Sequence, residues 1–454
     1  MLTYELKKAP GVPLYEALYR CIRSDILSGH LASGVKLPSK RALAAHLEVS
    51  KITVEAAYAQ LVAEGYIVPK EKVGYFVEQV ETLSVQTPAA ATPRPEARRP
   101  LVDLTANAPA KFPFSVWSRL QRQVLLDHGH QLLEPVPHQG AADLRQAIAA
   151  HLAGFRGMQV DPQNIIIGAG TDFLYNLLLQ LLGQDKIYAL EEPGYGKIRR
   201  IYEAAGAKSI PAPMDGFGVI PDALEPAQVL HISPSHHFPL GLITPMQRRQ
   251  ALLHWASQGE KWIIEDDYDS EFRFDAHPMS AMYSNSEQGR VIYMNSFSKS
   301  LAPSIRMGYM VLPPALMRTF REKLGFYSCT VSGFEQHTLA RFLREGHFEK
   351  HINRMRKFYR SRRNGLLEIL EKCRWSEKLT IEEADAGLHF LVHVDTALSD
   401  AALEAFCEKL GLRVRCLSRY YFGTPPENSR HRIVVNYSGL SEEDLAQLAE
   451  ILGR

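Results

Sequence analysis

The feature that most constrains the fold is a break in composition at residues 81–100, ETLSVQTPAAATPRPEARRP, which are rich in proline, alanine and threonine. The apolar residues of this stretch follow neither a helical nor a strand period, so it predicts a linker that is extended where proline is dense. A linker at this place leaves residues 1–80 on one side and 101–454 on the other. The chain is therefore predicted to form two separate folded parts.

The overall composition is that of an ordinary globular protein, with 46% hydrophobic and 22% charged residues. The net charge is only +2, so a nucleic-acid partner would have to bind a local surface. The five cysteines are scattered without a CxxC pair, which predicts neither a disulfide framework nor a metal site and fits a reducing cytoplasm. No apolar run reaches about 18 residues, and the N-terminus lacks a signal-peptide core, so we expect a cytoplasmic protein without a membrane span.

The first part reads as three helices followed by a hairpin. Apolar residues at four-residue spacing from Leu14 to Ile26 predict the first helix, which Gly29 ends. Ser39 and Ser50 are suited to cap the second and third helices. The segments GYIV and YFVEQ then alternate as two short strands around the turn PKEKVG. This order predicts a winged helix-turn-helix.

A winged helix-turn-helix binds DNA through the second helix of the motif, whose N-terminal residues read the major groove. Residues 1–80 hold ten Lys and Arg against eight Asp and Glu, so charge alone equally fits a small domain with solvated side chains. The preceding helix offers a phosphate or base contact, and the wing tip can approach the minor groove. The candidate DNA-binding residues are Arg41, Ser50, Lys51, Thr53, Lys72 and Gly74.

The second part alternates short apolar runs with helical stretches. NIIIG precedes a helix over 171–182, and KIYALEEP, QVLHIS, KWIIEDD and RVIYMNS are short β-rich runs that end in turns. This alternation predicts an α/β fold with a mainly parallel sheet. Ligands of such sheets gather at the carboxyl ends of the strands, which directs attention to the residues that follow each run.

Those residues suit pyridoxal phosphate, which needs a Schiff-base lysine, phosphate donors, a carboxylate at the ring nitrogen and a ring contact. NSFSKSLAPSIR follows one run and supplies Lys299 for the Schiff base. A lone lysine is usually solvated, so this assignment depends on its neighbours. The candidate phosphate donors are Ser296, Ser298 and Arg306, together with Gly170 and Thr171 of the turn GAGT, which alone could be a simple tight turn.

Two further turns supply the contacts to the cofactor ring. Asp266 ends the run WIIE, where its carboxylate would keep the pyridine nitrogen protonated, and Tyr268 can hydrogen-bond the ring oxygen. Tyr195, in EEPGYGK, can stack on the ring face. The alternative for EDDYDSEF is an acidic surface loop, and the alternative for Tyr195 is an ordinary Pro-Gly turn.

These motifs carry a resemblance to known families. GVKLPSKRALAAHLEVSKITVEAAYAQLVAEGYI resembles the signature of GntR-type regulators. The order of motifs along the whole chain resembles that of the MocR/GabR-type transcriptional regulators. After this head come GAGT, EEPGYG, SPSHHFPLG, IIEDDYDSEF, NSFSKSLAPSIR, AGLHF and LSRYYF. The resemblance implies a DNA-binding domain at 1–80, a linker at 81–100, and at 101–454 a fold-type-I aminotransferase-like domain for cofactor, effector and dimerisation.

The resemblance implies the same cofactor roles as above and adds an effector site. Arg419, in LSRYY, falls where amino-acid-sensing relatives bind the effector's carboxylate, although read alone it is an exposed basic residue. Lys197 stands where relatives that sense GABA have a second effector-binding arginine. Lysine keeps the charge but loses the forked geometry, so GABA itself is not implied.

Two departures separate this chain from true aminotransferases. Phe238 lies where those enzymes have an asparagine on the ring oxygen, and Val434 lies where they keep the arginine for the substrate's carboxylate. Arg432 is two residues away and could share a strand face with it. His236 and His237 are more simply structural than catalytic. These departures favour a sensor with at most residual transaminase half-reactions.

The sequence therefore predicts a transcriptional regulator that senses an amino acid or related amine when the effector displaces Lys299 as an external aldimine. The resemblance implies a head-to-tail, domain-swapped homodimer that binds a double-stranded DNA operator with two half-sites. Three alternatives remain open: a regulator that senses pyridoxal phosphate itself, an active aminotransferase with a DNA-binding head, and a degenerate body that only dimerises.

Overall fold

A computed structural model describes residues 2–4, 6, 13–80, 102–106, 111–273, 280–382 and 387–453. Contacts within the chain divide it into two compact units, Met1–Ala97 and Arg98–Arg454. The linker predicted at 81–100 lies outside the described residues. None of the helices in the described ranges combines the length and the apolar character that crossing a lipid bilayer requires.

The first unit is the predicted winged helix-turn-helix. Ser39 and Ser50 cap their helices as predicted, since each side chain accepts a hydrogen bond from the backbone N–H three residues on. Leu18, Ile22 and Tyr58 are fully buried in the core that the helices share. The elements are α1 (Leu14–Leu27), α2 (Lys40–His46), α3 (Lys51–Ala63) and the antiparallel wing strands β1 (Ile67–Lys70) and β2 (Gly74–Val77).

Within its described residues, the second unit contains an eight-stranded sheet, a three-stranded sheet and a two-stranded ladder, with helices packed around them. Its strands are β3 (Val102–Asp103), β4 (Ile165–Gly168), β5 (Ile187–Glu192), β6 (Lys208–Asp215), β7 (Gly218–Val219), β8 (Val229–Ile232), β9 (Trp262–Asp266), β10 (Val291–Ser296), β11 (Gly308–Val311), β12 (Leu379–Glu382), β13 (His389–Val394), β14 (Leu412–Arg413) and β15 (Arg432–Asn436). Its helices are α4 (Phe114–His128), α5 (Ala142–Arg156), α6 (Thr171–Leu182), α7 (Gly196–Ala204), α8 (Met246–Ser257), α9 (Phe297–Ser300), α10 (Pro314–Leu324), α11 (Gly333–Arg344), α12 (His347–Lys372), α13 (Asp400–Lys409) and α14 (Glu442–Gly453).

The large sheet has the strand order β4-β11-β10-β9-β8-β5-β6-β7. Its central strands β10, β9, β8, β5 and β6 run parallel, while β11, β4 and β7 pair antiparallel at the two ends. The prediction of an α/β fold with a mainly parallel sheet is therefore confirmed. Because consecutive parallel strands end at the same edge, the turns after β5, β8, β9 and β10 lie together there.

The central strands are buried on both faces, which explains why they read as continuous apolar runs rather than as alternating ones. On one face, Leu174 and Leu178 of α6 pack in a cluster with Ile292 of β10. Since α6 begins immediately after β4, this packing fixes its first turn at the edge where the strand ends gather.

Candidate cofactor site

The strand ends at one edge of the large sheet carry most of the predicted cofactor residues. Asp266, the last residue of β9, is paired with Met294 of β10, and the row Ser296, Gly308, Gly168 crosses β10, β11 and β4. These ends open on a cavity of about 240 Å³. The predicted residues that line the cavity are Thr171, Tyr195, Lys197, Asp266, Tyr268, Ser296, Ser298, Lys299 and Arg306.

Lys299 lies on the short helix α9, which begins directly after β10. Burial lowers the pKa of the Lys299 ammonium from 10.5 to about 8, and the nearby Asp269 carboxylate opposes this shift only in part. A lowered pKa leaves more of the amine neutral at physiological pH, and the neutral amine is the nucleophile. The position therefore suits a lysine that attacks an aldehyde.

One carboxylate oxygen of Asp266 accepts a hydrogen bond from the protein and the other does not. Its Oδ2 accepts a hydrogen bond from the Tyr175 hydroxyl and lies 3.5 Å from Nε2 of His231. Its Oδ1 is buried and has no hydrogen-bond partner among the described residues. A buried carboxylate oxygen without a donor is costly, so the site fits a ligand that brings an N–H group to it. A protonated pyridine nitrogen is such a group.

The first turn of α6 and the Arg306 side chain form a cradle for an anion. Gly170 caps α6 with φ 83°, and a Cβ built there would lie 2.8 Å from Nη2 of Arg306. Arg306 itself has φ 44°, a left-handed conformation that is unusual outside glycine and that marks sites where structure overrides local preference. Unpaired N–H groups at a helix N-terminus beside a guanidinium suit a phosphate. Together with the Lys299 and Asp266 groups, the residues present therefore fit pyridoxal phosphate.

Tyr268 follows Asp266 by two residues and makes a polar contact behind the cavity. Its hydroxyl lies 3.2 Å from Nδ1 of His236, and the same nitrogen lies 2.8 Å from Oδ2 of Asp269. The Asp269 carboxylate favours a proton on that nitrogen, which leaves the Tyr268 hydroxyl free to donate its own proton to another group. His236 thus links Tyr268 to Asp269 by polar contacts, and the structural role expected for this histidine stays a prediction.

A buried ion pair supports the loop that carries Asp266 and Tyr268. Nη2 of Arg156 lies 3.1 Å from Oδ2 of Asp267, and both side chains are about 1% exposed. The Tyr293 hydroxyl donates to the same carboxylate at 2.6 Å, and Arg156 also donates to Ser235 at 3.0 Å. These bonds tie the end of β9 to β10 and to the loop after β8.

The residues expected at an effector site do not come together. Lys197 lines the cavity, where its Nζ lies 2.6 Å from Oδ2 of Asp172. Arg419 is outside the set of lining residues and binds Glu404 at 2.9 Å. Val434 is buried in an apolar cluster with Phe238, and Arg432 pairs with Glu382 at 3.4 Å rather than facing the cavity.

Sequence reasoning missed several residues that line the cavity. Tyr175 lies one helical turn after Thr171, and His231 lies next to the end of β8, so both positions carried a signal. Asp172 directly follows Thr171, and Glu191, His389 and Phe422 fall within the motifs EEPGYG, AGLHF and LSRYYF, so these positions also carried a signal, whereas Asn436 did not. The lining residues that were missed are Asp172, Tyr175, Leu190, Glu191, Ile198, His231, Ser233, Leu388, His389, Phe422 and Asn436.

The candidate DNA-binding residues lie on the surface of the first unit. Lys51 begins α3 and lies 3.3 Å from Glu55, and Arg41 is exposed on α2. The Ser50 and Thr53 hydroxyls are 2.8 Å apart, so both take part in the helix cap. Lys72 lies in the wing turn and Gly74 begins β2, both with positive φ.

Comparison with known protein families assigns both units. Residues 99–452 match the family model "Aminotransferase class I and II", and residues 14–77 match "Bacterial regulatory proteins, gntR family". The kynurenine aminotransferase of Pyrococcus horikoshii, solved as a crystal structure, has a TM-score of 0.67 and 25% identity, covering 77% of this chain and 90% of its own.

Three bacterial relatives resemble the whole chain. The uncharacterized HTH-type regulator YdeL of Bacillus subtilis is 36% identical, over 98% of this chain and 97% of its own. The probable rhizopine catabolism regulatory protein MocR of Rhizobium meliloti is 32% identical, over 97% and 93%. The pyridoxine biosynthesis regulator PdxR of Corynebacterium glutamicum is 31% identical, over 95% and 93%.

The fold and these matches define a transcriptional regulator in which a GntR-type DNA-binding domain precedes an aminotransferase-like domain. The chain belongs to the group of GntR-type regulators that includes MocR and PdxR, which confirms the predicted resemblance to MocR/GabR-type regulators. The cofactor implied by the aminotransferase family is pyridoxal phosphate.

Proposed function

We propose that this regulator senses an amino acid or related amine at the cavity that contains Lys299 and Asp266. The observation that carries the proposal is that the lysine with a lowered pKa and the carboxylate with an unpaired oxygen line the same cavity. Pyridoxal phosphate, when bound, supplies an aldehyde that can exchange one primary amine for another. A free amine that enters the cavity would compete with Lys299 for it.

The residues of the chain have separate tasks in this proposal. Asp266 holds a proton at the ring nitrogen, and Tyr268 holds one at the ring oxygen. Arg306 and the first turn of α6 bind the phosphate. Lys299 supplies the resident amine, and its release by an effector would change the packing of the cavity wall. Such a change alters DNA binding only if the effector has different affinity for the two states.

We further propose that the candidate DNA-binding residues of the first unit contact DNA. Ser50, Lys51 and Thr53, at the start of α3, would lie in the major groove, and Lys72 and Gly74 at the wing would approach the minor groove. Arg41 would bind a phosphate. A homodimer, head-to-tail with exchanged domains, would present two such heads to an operator with two half-sites.

A second candidate function is a sensor of pyridoxal phosphate itself. Two observations favour it: Arg419 is held by Glu404 outside the cavity, and Lys197, although it lines the cavity, is paired with Asp172. Each cation expected for an effector's carboxylate therefore already has an acidic partner. The relative PdxR is described as a regulator of pyridoxine biosynthesis. An enzymatic role is disfavoured because Val434 is buried among apolar side chains.

The experiment is a visible absorption titration of the purified protein with a panel of amino acids and amines. Lys299→Ala serves as the test variant, and Lys323→Ala, which removes an exposed lysine of α10, is its control. A band in the wild type and control that shifts with one amine, and that Lys299→Ala lacks, would identify the effector. A band that no amine moves would favour the sensor of pyridoxal phosphate. A protein that stays colourless with added cofactor would refute both proposals.

A further inference from the structure

Asp172 places a carboxylate in the anion cradle itself. It is the second residue of α6, one position after Thr171, and it lines the cavity. Its Oδ2 lies 3.4 Å from Nη2 of Arg306 and 2.6 Å from Nζ of Lys197. The arginine assigned to the cofactor's phosphate and the lysine assigned to the effector therefore share one acidic partner.

The charges of this cluster neutralise a bound phosphate only in part. Arg306 and Lys197 contribute two positive charges and Asp172 one negative charge, so the three side chains together carry +1. A phosphate monoester carries close to two negative charges at neutral pH. If it binds Arg306 and the first turn of α6, it lies within a few ångströms of the Asp172 carboxylate and is repelled by it.

An acidic residue in the first turn also interacts favourably with the helix dipole, which is the simpler explanation of Asp172. That explanation accounts for the carboxylate's position on the helix. It predicts that removing the carboxylate changes neither the affinity for a ligand that carries a phosphate nor the affinity for one that lacks it. The two explanations therefore differ in what they predict for matched ligands.

We propose that Asp172 is an internal competitor of the cofactor's phosphate, which weakens the binding of pyridoxal phosphate and keeps occupancy of the site responsive to its concentration. The proposal rests on the proposed cofactor site at Lys299. Lys197 has the opposite effect, since it neutralises Asp172. The two residues together would set the affinity of the regulator for its cofactor.

The test measures the dissociation constants of pyridoxal phosphate and of pyridoxal, which lacks the phosphate, for apoprotein by absorbance titration at fixed ionic strength. For Asp172→Asn we expect pyridoxal phosphate to bind about tenfold tighter, which corresponds to about 1.4 kcal/mol, and pyridoxal to bind as it does to the wild type. Lys197→Met should weaken the binding of pyridoxal phosphate and leave the binding of pyridoxal unchanged. Glu349→Gln, which removes an exposed acid from the first turn of α12, is the matched control and should change neither constant.

Unchanged affinity of Asp172→Asn for pyridoxal phosphate would overturn the proposal. An equal gain for both ligands would also overturn it, because the effect would then not pass through the phosphate. These outcomes are distinct from failure of the cofactor site, in which the wild type would bind neither ligand.

Discussion

Gly170 and Arg306 share one small space at the start of α6. A Cβ at Gly170 would lie 2.8 Å from Nη2 and 3.0 Å from Cζ of Arg306, and Gly170 has φ 83°. Arg306 in turn has a left-handed backbone, with φ 44°. Each residue thus adopts a conformation that brings the guanidinium against the helix N-terminus, where an anion would bind.

Gly170→Ala is expected to weaken the binding of pyridoxal phosphate, because the added methyl group displaces the Arg306 guanidinium. Gly206 provides a matched control, since it has the same φ of 83° but nothing within 4 Å of an added Cβ. Gly206→Ala should lower the free energy of unfolding by about 1 kcal/mol through backbone strain alone. Absorbance titration and urea unfolding of both variants separate the two effects. Equal cofactor affinity in the two variants would contradict the role given to Gly170.

The rate at which apoprotein captures pyridoxal phosphate is expected to depend on the pKa of Lys299, which burial lowers to about 8. Below that pKa the neutral fraction of the amine rises about tenfold per pH unit, and above it the fraction levels off. The rate should therefore rise up to about pH 8 and then flatten. Stopped-flow absorbance would measure it, with n-butylamine as the control, whose rate should keep rising past this pH. A protein profile that rises in parallel with butylamine would contradict the lowered pKa.

Asp266→Asn is expected to weaken cofactor binding by about ten- to a hundredfold, because a hydrogen bond to a charged group is worth about 1.5–3 kcal/mol. The amide can keep a carbonyl oxygen towards Tyr175 and so preserves the shape of the site. The dissociation constant of pyridoxal phosphate is the measurement, and thermal unfolding of the apoprotein is the control for folding. If Asp266→Asn binds pyridoxal phosphate with wild-type affinity, Oδ1 of Asp266 does not contact the cofactor ring.

Arg156→Met is expected to destabilise the second unit by about 3–5 kcal/mol, because it leaves the buried Asp267 carboxylate without its cation. Arg199→Met breaks the Arg199–Glu203 pair on the surface of α7 and should cost about 0.3–0.5 kcal/mol. Urea unfolding followed by tryptophan fluorescence would measure both. If the two variants lose similar amounts of free energy of unfolding, burial of the Arg156–Asp267 pair does not add to its contribution to stability.

Arg41→Ala and Lys51→Ala are each expected to weaken binding to duplex DNA and to lower the dependence of log K on log salt by about one. A random-sequence duplex suffices as the probe, because phosphate contacts do not depend on sequence. Arg20→Ala removes an exposed arginine of α1 that pairs with Glu16, and should leave the slope unchanged. Fluorescence anisotropy over a range of salt concentrations gives the slope. An unchanged slope in Arg41→Ala or Lys51→Ala would exclude that residue as a phosphate contact.

Several features of the protein were predictable because they depend on short stretches of chain. The caps at Ser39 and Ser50 and the bounds of α6 follow from local hydrogen bonding and apolar spacing. The parallel sheet follows from apolar runs separated by helices, and the candidate cofactor residues were chosen from their position after those runs. In a parallel sheet, residues that end neighbouring strands meet whatever their separation in the chain.

Other features depended on packing between segments that the sequence leaves unrelated. The contact of Asp172 with Lys197 and Arg306, and the capture of Arg419 by Glu404, join residues from different elements. The sequence does not distinguish a charged side chain that is free for a ligand from one that is bound to another part of the protein. The sequence by itself therefore determined the fold, the family and the identity of the implied cofactor, because these follow from local periodicity and motif order. Only the tertiary structure decided which charges face the cavity and which are neutralised by neighbours, because ion pairing depends on distances across the folded chain.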